Sequence, residues 1–243
     1  MKDTQKQVIV KDLVKKFGNF VANDHLSFEV NSGEIFGFLG ANGAGKTTAI
    51  KILCGLSAPT SGEVSVAGFD IYKQREQIKK SIGYMSQKFS LYDDLTIAEN
   101  IRFYGGIYGL SRKQIKSKTA DYMDSLSLHE YASSRVVELP LGIKQKLSFM
   151  VAILHEPPIV FLDEPTGGVD PLTRRQFWEM IYQEAKNGKT IFVTTHYMDE
   201  AEYCHRVSIM VDGKIEALDT PAGLKKEFGV DSVEKVFVKL ARG

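Results

Sequence analysis

The stretch EIFGFLGANGAGKTTAIKIL, residues 34–53, decides the fold of this chain. Its first six residues, Glu34 to Leu39, are mostly apolar and are typical of a buried strand. The loop Gly40 to Thr48, GANGAGKTT, follows directly and matches GxxxxGK followed by Ser or Thr. A helix of about ten residues is expected from Lys46. Glycines let backbone N–H groups converge on one concavity, and the helix N-terminus behind them favours phosphate oxygens. The sequence therefore predicts a strand, a phosphate-binding loop and a helix, in that order.

This loop supplies most of the expected ligand contacts. Lys46 is expected to reach the β- and γ-phosphates of a nucleotide, and the Thr47 hydroxyl is expected to coordinate Mg²⁺. The alternative is a glycine-rich turn that does no more than precede a helix. The other expected nucleotide-binding residues of the loop are Gly40, Asn42, Gly43, Ala44, Gly45 and Thr48.

A second motif, IVFLDE at residues 159–164, places four apolar residues before two acids. Asp163, at the tip of a buried strand, fits a direct or indirect ligand of Mg²⁺. Glu164 is suited to polarise an attacking water as a general base. Alone, this pattern is often a strand end that meets solvent. Downstream of a phosphate loop it predicts catalytic acids.

Composition narrows the functional class. The 243 residues carry 31 Lys and Arg against 30 Asp and Glu, a formal charge of +1, so no basic footprint suggests a nucleic-acid partner. The two cysteines, Cys54 and Cys204, are far apart and are typical of reduced, packed thiols. No stretch approaches the ~18 apolar residues of a membrane span, and the first residues lack the layout of a secretory signal. We expect a soluble chain that docks on other molecules.

Segments typical of strands alternate with segments typical of helices, which favours an α/β fold with a mostly parallel core sheet. Short alternating runs between Val8 and Phe38 predict antiparallel strands before the first helix. Apolar residues between Thr96 and Leu128 recur at helical spacing and indicate an inserted helical subdomain. We expect a single domain, residues 1–243, with two lobes. They are a core with its β subdomain, residues 1–87 and 157–243, and a helical subdomain, residues 88–156.

Three further motifs carry a family resemblance. They are Gln87 within YMSQKFSLYDDLT, DEPTGGVDP at residues 163–171, and TTHYMDEAE at residues 194–202. With the two phosphate motifs, in this order, the chain resembles the nucleotide-binding subunit of an ATP-binding cassette (ABC) transporter over essentially its whole length. The resemblance implies the phosphate-loop ABC-ATPase fold, Mg²⁺-dependent ATP hydrolysis, a second cassette in a dimer, and a separate membrane permease.

The resemblance also implies roles for single residues. Gln87 would be the loop glutamine that joins the lobes and touches Mg²⁺ or the water, and His196 the switch histidine beside the γ-phosphate and Glu164. Asp170 would lie in the loop that crosses to the second subunit, with a helix-terminal acid before Pro171 as the alternative. Phe17 matches the aromatic that stacks on adenine; Phe20 competes for that role, and a strand-core position for Phe17 is the alternative.

One motif departs from the family. Where the family has LSGGQ, this chain has Leu139 to Ile143, LPLGI, and of the serine and the two glycines it keeps only the second glycine, Gly142. Pro140 brings no hydroxyl, but proline suits the first helical position, so a helix should still begin here and direct its N–H groups toward the partner's nucleotide. The variant resembles the second cassette of tandem type-2 exporter ATPases. A homodimer and a heterodimer with an intact cassette both remain open.

We therefore expect an ATPase subunit, peripheral on the cytoplasmic face of the membrane, that drives a separate permease of the exporter type. One alternative is a cassette ATPase that acts on DNA or ribosomes. Such proteins usually have a long coiled-coil insertion or two cassettes in one chain, and this chain has neither. The other alternative is a phosphate-loop kinase, which would not need His196 or the signature helix.

Overall fold

The computed structural model describes residues 5–87 and 90–242 and contains two sheets. The core sheet has the strand order β10-β9-β3-β8-β7-β6, and the second sheet has the order β2-β1-β4-β5. The strands are β1 (Lys6–Phe17), β2 (Phe20–Asn31), β3 (Ile35–Gly40), β4 (Ser61–Val66), β5 (Phe69–Asp70), β6 (Ile82–Met85), β7 (Ile159–Asp163), β8 (Thr190–Thr195), β9 (Arg206–Val211) and β10 (Lys214–Asp219). The helices are α1 (Lys46–Leu53), α2 (Arg75–Ser81), α3 (Ile97–Ile107), α4 (Arg112–Ser125), α5 (Leu141–Ile153), α6 (Pro171–Lys186), α7 (Pro221–Phe228) and α8 (Val233–Arg242).

The core sheet is parallel except for β10, which runs antiparallel to β9. Strands β3, β7 and β8 are buried along their whole length, which explains their continuous apolar sequences. Because these strands are parallel and adjacent, their carboxyl ends meet at one edge, and Asp163 pairs with Thr194 there. This carboxyl edge of the core sheet brings together the phosphate loop, which follows β3, and Glu164, which follows β7.

The antiparallel sheet begins with a long hairpin. Strands β1 and β2 pair along their length and end with Phe17 opposite Phe20, where Gly18 has a φ of 58° in the turn. Such a positive φ is the backbone region that favours glycine. The prediction of antiparallel strands before the first helix is therefore confirmed.

The inserted helices have an apolar cluster of their own. Both α3 and α4 begin with a capping box, Thr96 with Glu99 and Ser111 with Gln114. The buried side chains that they share with α5 and the neighbouring turns include Ile97, Ile101, Leu128, Leu147 and Leu154. The division into two lobes stays a prediction; residues 88 and 89, where the helical subdomain was expected to begin, lie outside the described residues.

Pro140 does not occupy the first helical position, contrary to expectation. It precedes α5 as the N-cap with φ −56° and ψ 147°, and Leu141 is the first helical residue. The extended ψ of Pro140 keeps it outside the helix, while its carbonyl accepts from the N–H groups of Ile143 and Lys144. The helix still starts at this segment, but it has no side-chain cap.

Several elements had no clear sequence signal. Strand β6 is only IGYM, and its pairing with β7 makes it the edge of the core sheet. The pair β9 and β10 and the helices α7 and α8 complete the other side of the molecule. Within residues 5–87 and 90–242, no helix combines the length and apolar character needed to cross a membrane.

Candidate nucleotide site

The phosphate loop folds as its glycines require. Gly43 and Gly45 have φ values of 87° and 98°, and Gly45 is the N-cap of α1. A Cβ at Gly45 would lie 2.3 Å from the carbonyl oxygen of Ala22, so any larger residue would displace the loop from β2. The loop thus lies between the end of β3 and the start of α1, and backbone N–H groups of the first helical turn face outward from it.

Lys46 is held inside the loop. Its side chain is 4% exposed, and Nζ donates to the carbonyl oxygens of Gly40 at 2.7 Å and Ala41 at 3.0 Å. Nζ also lies 3.7 Å from Oε1 of Glu164. Burial lowers the pKa of Lys46, and the Coulomb attraction of Glu164 and Asp163 opposes that shift. A cation is therefore placed where a terminal phosphate would meet the acids.

Asp163 and Thr47 lie side by side at the carboxyl edge. The Thr47 hydroxyl donates to Oδ1 of Asp163 at 3.3 Å, and the buried Thr194 hydroxyl donates to the same oxygen at 2.7 Å. Burial raises the pKa of Asp163, and the hydrogen bonds from Thr194 and Thr47 oppose that rise. Mg²⁺ prefers oxygen ligands and commonly uses one or two carboxylates with substrate phosphates and water. One carboxylate and one adjacent hydroxyl fit that pattern.

Glu164 is the centre of the site. Its Oε2 accepts from Nε2 of Gln87 at 3.0 Å and lies 3.1 Å from Nδ1 of His196, while Oε1 faces Lys46. Its backbone N–H donates to Thr194, and its φ of 52° is in the left-handed region. Non-glycine residues in that region are uncommon and often lie at functional sites. The structure thus brings Gln87, Glu164 and His196 together, although they are far apart in sequence.

Two cavities flank the Glu164 carboxylate. The first, of about 270 Å³, is bounded by the phosphate loop, Phe20, Gln87 and Glu164. The second, of about 300 Å³, shares Gln87 and Glu164 and is closed by His196 and the start of α5. Glu164 therefore faces the phosphate loop on one side and, on the other, a cavity of mixed polar and apolar lining.

Two exposed aromatic residues, Phe17 and Phe20, lie opposite each other at the end of the hairpin. Phe17 is 55% exposed, so the strand-core alternative is wrong, and the ammonium of Lys15 lies 4.8 Å from its ring centroid. Phe20 is 64% exposed and lines the cavity, whereas Phe17 does not. The adenine role of Phe17 stays a prediction, with Phe20 as its competitor.

Asp170 and Gly142 both make contacts within the chain. Asp170 caps α6, because its carboxylate accepts from the N–H groups of Leu172 and Thr173 and from the Thr173 hydroxyl. A Cβ at Gly142 would lie 2.6 Å from Cγ2 of Thr173, so glycine lets α5 approach α6. These contacts give each residue a structural reason within the chain. Their expected contacts with a second cassette stay predictions.

Sequence reasoning missed three residues of this region as site residues. Thr194 was quoted in a motif, but the register of β7 with β8 reveals its bond to Asp163. Gln145 donates to the Gly167 carbonyl at 2.8 Å and lines the second cavity. Tyr197 lies beside His196, with ring centroids 4.2 Å apart. The signal for Tyr197 was its place next to a singled-out histidine.

A nucleotide-binding loop with two acids, a glutamine and a histidine, on this pair of sheets, defines an ATP-binding cassette. Residues 23–167 match the family described as "ABC transporter", and the chain belongs to that family. It is 48% identical over 235 residues to "Probable multidrug ABC transporter ATP-binding protein YbhF" of Escherichia coli (strain K12), covering 95% of this chain and 41% of that protein.

Solved structures agree with this assignment. A structure of an ATP-binding subunit of an ABC transporter has a TM-score of 0.87 at 30% identity and covers 96% of this chain and 99% of that chain. A dimeric ATP-binding cassette bound to ADP and Pi has a TM-score of 0.79 at 25% identity and covers 88% and 98% of the two chains. The predicted ABC-ATPase fold, with parallel core, antiparallel sheet and helices, is confirmed.

Proposed function

We propose that this chain hydrolyses Mg·ATP and thereby powers a separate membrane permease of the exporter type. The observation that carries the proposal is the convergence of Gln87, His196 and Lys46 on the Glu164 carboxylate, beside the phosphate loop. Relatives support the transport role: the matched family is the ABC transporter family, and the named relative is described as a multidrug transporter protein. The chain spans 41% of the length of that relative.

Each residue has a role in this proposal. The phosphate loop binds the phosphates through Gly40, Asn42, Gly43, Ala44, Gly45 and Thr48. Lys46 exchanges its carbonyl partners for phosphate oxygens. The attraction between its ammonium and the phosphate is strong because the site is buried. Thr47 and Asp163 would hold Mg²⁺, with Gln87 as a further contact, and the metal when bound would neutralise phosphate charge.

Glu164 is proposed to accept a proton from the attacking water. An ionised carboxylate only accepts hydrogen bonds, and the Gln87 amide and the His196 imidazole fix its orientation. His196 contacts Glu164, and we propose that it also contacts the terminal phosphate. Phe17 is proposed to stack on adenine, because it is exposed at the end of the hairpin opposite Phe20, which lines the first cavity.

A second cassette completes the proposed site. Gly142 and the first turn of α5 would face the partner's nucleotide, and Asp170 would lie in the loop that crosses to the partner. A dimeric relative in a post-hydrolysis state supports an arrangement in pairs. The LPLG segment resembles that of the second cassette of a tandem pair, which would favour a heterodimer. A homodimer with two altered signatures is also compatible with this chain.

The transport role favours a position on the cytoplasmic face of the membrane, docked on the permease. The alternative, a cassette that acts on DNA or ribosomes, lacks support, because the named relative is a transporter protein and the formal charge of +1 gives no basic footprint. The phosphate-loop kinase has no support either, since residues 23–167, which include the phosphate loop and α5, match the ABC transporter family.

The test is phosphate release from ATP by the purified chain with Mg²⁺. Glu164→Gln should lower turnover by ~10²- to 10⁴-fold and leave ATP binding intact, because only the general base is lost. Glu179→Gln, an exposed glutamate on α6, is the matched control and should be unchanged. Wild-type turnover in Glu164→Gln, or phosphate transfer to another acceptor, would contradict the proposal. Addition of the membrane permease in vesicles should raise the wild-type rate.

A further inference from the structure

A buried ion network lies behind the His196 loop. Glu200, in the 3₁₀ turn Met198–Tyr203, is 0% exposed, and its Oε1 accepts from the Thr166 hydroxyl at 2.5 Å. The same oxygen lies 3.6 Å from Nε of Arg174 on α6. Oε2 of Glu200 and Nε of Arg174 are buried without a hydrogen-bond partner in the described residues. The burial of Glu200 calls for a structural or functional explanation, because moving a charged carboxylate into the protein interior costs free energy.

Arg174 connects this ion pair to the candidate site through Tyr197. Its guanidinium carbon lies 4.1 Å from the ring centroid of Tyr197, within the range of a cation–π contact. The Tyr197 ring lies 4.2 Å from the His196 ring, and the two planes are inclined by 36°. Arg174 is therefore connected to His196 through one aromatic ring, without touching His196 itself.

The two ends of the network reach the two loops that meet at Glu164. Thr166 is two residues after Glu164 in the chain, and Tyr197 directly follows His196. One buried carboxylate thus contacts the loop that carries the general base and, through Arg174, the loop that carries the histidine. A displacement of either loop would change the distance between His196 and Glu164.

Stability alone does not account for this arrangement. Buried ion pairs are often no more stabilising than apolar residues of similar volume, and here the ion pair is too long for a hydrogen bond. The guanidinium also lies over the Tyr197 ring, and this cation–π contact ties the ion pair to the residue that follows His196. An ion pair kept for stability alone would not require that link to the histidine loop.

We propose that Arg174 is a positioning residue for hydrolysis, which acts through Tyr197 to orient His196 toward Glu164 while Glu200 fixes Arg174. This inference rests on the proposed ATPase function. It assigns Arg174 no contact with nucleotide, so substitution should affect turnover and leave ATP affinity unchanged. Misplacement of a reacting group by about 1 Å can cost up to ~10²-fold in rate.

The first test is steady-state hydrolysis by the full chain with Mg·ATP. Arg174→Ala should lower kcat by about 10-fold, with KM and the Kd for ATP within about twofold of wild type. Arg175→Ala is the matched control, because Arg175 is 80% exposed and pairs with Glu179 on the same helix. Its kcat should equal that of wild type.

The second test uses conservative variants at the two stacked positions. Tyr197→Phe keeps the ring and should retain wild-type kcat, while Tyr197→Leu loses both ring contacts and should match Arg174→Ala. Arg174→Lys keeps the positive charge but loses the planar guanidinium, so its kcat should lie between those of wild type and Arg174→Ala. Asp199→Asn, which removes the charge of an exposed partner of Arg174 and keeps an acceptor oxygen, should change little. Tyr197→Leu also serves if Arg174→Ala does not fold.

The outcomes separate this inference from the proposed function. Wild-type kcat in a folded Arg174→Ala or Tyr197→Leu variant would overturn it, provided Glu164→Gln is inactive. A loss of activity that only follows a loss of ATP-binding sites and of thermal stability would show a purely structural role and would also overturn it. If Glu164→Gln hydrolyses ATP normally, the proposed function itself fails.

Discussion

The carboxyl edge of the core sheet and the first turn of α5 differ in how completely this chain builds them. At the carboxyl edge, Asp163, Glu164 and Lys46 each have partners from other strands or loops. At the start of α5, Pro140 offers no side-chain cap and Leu141 is half exposed. Val137 and Leu172 are exposed nearby. The comparison shows that the chain completes the carboxyl edge with its own residues, whereas the start of α5, the open half, lacks a side-chain cap and exposes apolar residues.

The largest expected effect is at the completed edge. Lys46→Ala should weaken ATP binding by at least ~100-fold, because a buried ammonium that would meet the phosphates is lost. Isothermal titration with Mg·ATP measures this. Lys51→Ala, on the exposed side of the same helix, is the control and should bind normally. Wild-type affinity in Lys46→Ala would mean that the edge does not bind phosphate.

The open half gives the next effect. Pro140→Ser restores a hydroxyl at the helix start, so ATP-dependent association of cassettes should tighten by about 10-fold in a Glu164→Gln background. Analytical ultracentrifugation with and without ATP measures association. Val137→Ser is the matched control, since it adds a hydroxyl three residues upstream of the cap. Equal tightening by both variants would show that reduced apolar exposure, and not the cap position, is responsible.

The hairpin aromatics separate two positions for adenine. Phe17→Ala should weaken ATP binding by about 10-fold, because stacking on a base contributes ~1–3 kcal/mol. Phe20→Ala is the matched variant and should have a smaller effect. Fluorescence titration with an ATP analogue distinguishes them. The reverse order would assign the adenine contact to Phe20, the ring that lines the cavity.

The smallest expected effect is on thermal stability, and it tests how much the burial of Asp163 at the carboxyl edge destabilises the fold. Burial raises the pKa of Asp163, so the folded chain holds that proton more tightly than the unfolded chain, and its ionisation lowers stability as pH rises through the folded pKa. Asp163→Asn should therefore raise Tm near neutral pH by about 2 °C without nucleotide or metal.

The pH dependence is the internal check on that result. The difference in Tm should close as the pH falls to where wild-type Asp163 is protonated. The control is Asp231→Asn, since the neighbouring Lys235 lowers the pKa of that exposed carboxyl and its neutralisation should bring no gain. A gap that is constant from acid to neutral pH would indicate a packing effect.

The sequence was sufficient for the parts of the fold and site that depend on local pattern. GANGAGKTT and IVFLDE identify the loop and the acids because glycine geometry and buried-strand apolarity are written in adjacent residues. The hydrogen bond from Thr194 to Asp163 depends on the register of two strands that a helix separates. This hydrogen bond therefore depends on tertiary structure. The same holds for β6, a strand of four residues that is defined by its pairing with β7.

Turn and packing details were also beyond the pattern. Pro140 was expected inside the helix because proline suits its first position, but the chain before it enters in an extended conformation. The retained Gly142 suggested a contact with phosphate, while the structure shows that it also lets α5 approach Thr173. The packing requirement is visible in the structure, and the phosphate contact stays a prediction, because the sequence does not separate the two reasons for a glycine.

The contact between Lys46 and Glu164 links the phosphate loop to the acid through one ammonium group. Nζ of Lys46 lies 3.7 Å from Oε1 of Glu164 and donates to two carbonyl oxygens of the loop. A phosphate bound in the loop, as we propose, would compete with Glu164 for that ammonium, so occupancy of the loop would also change the surroundings of the proposed base.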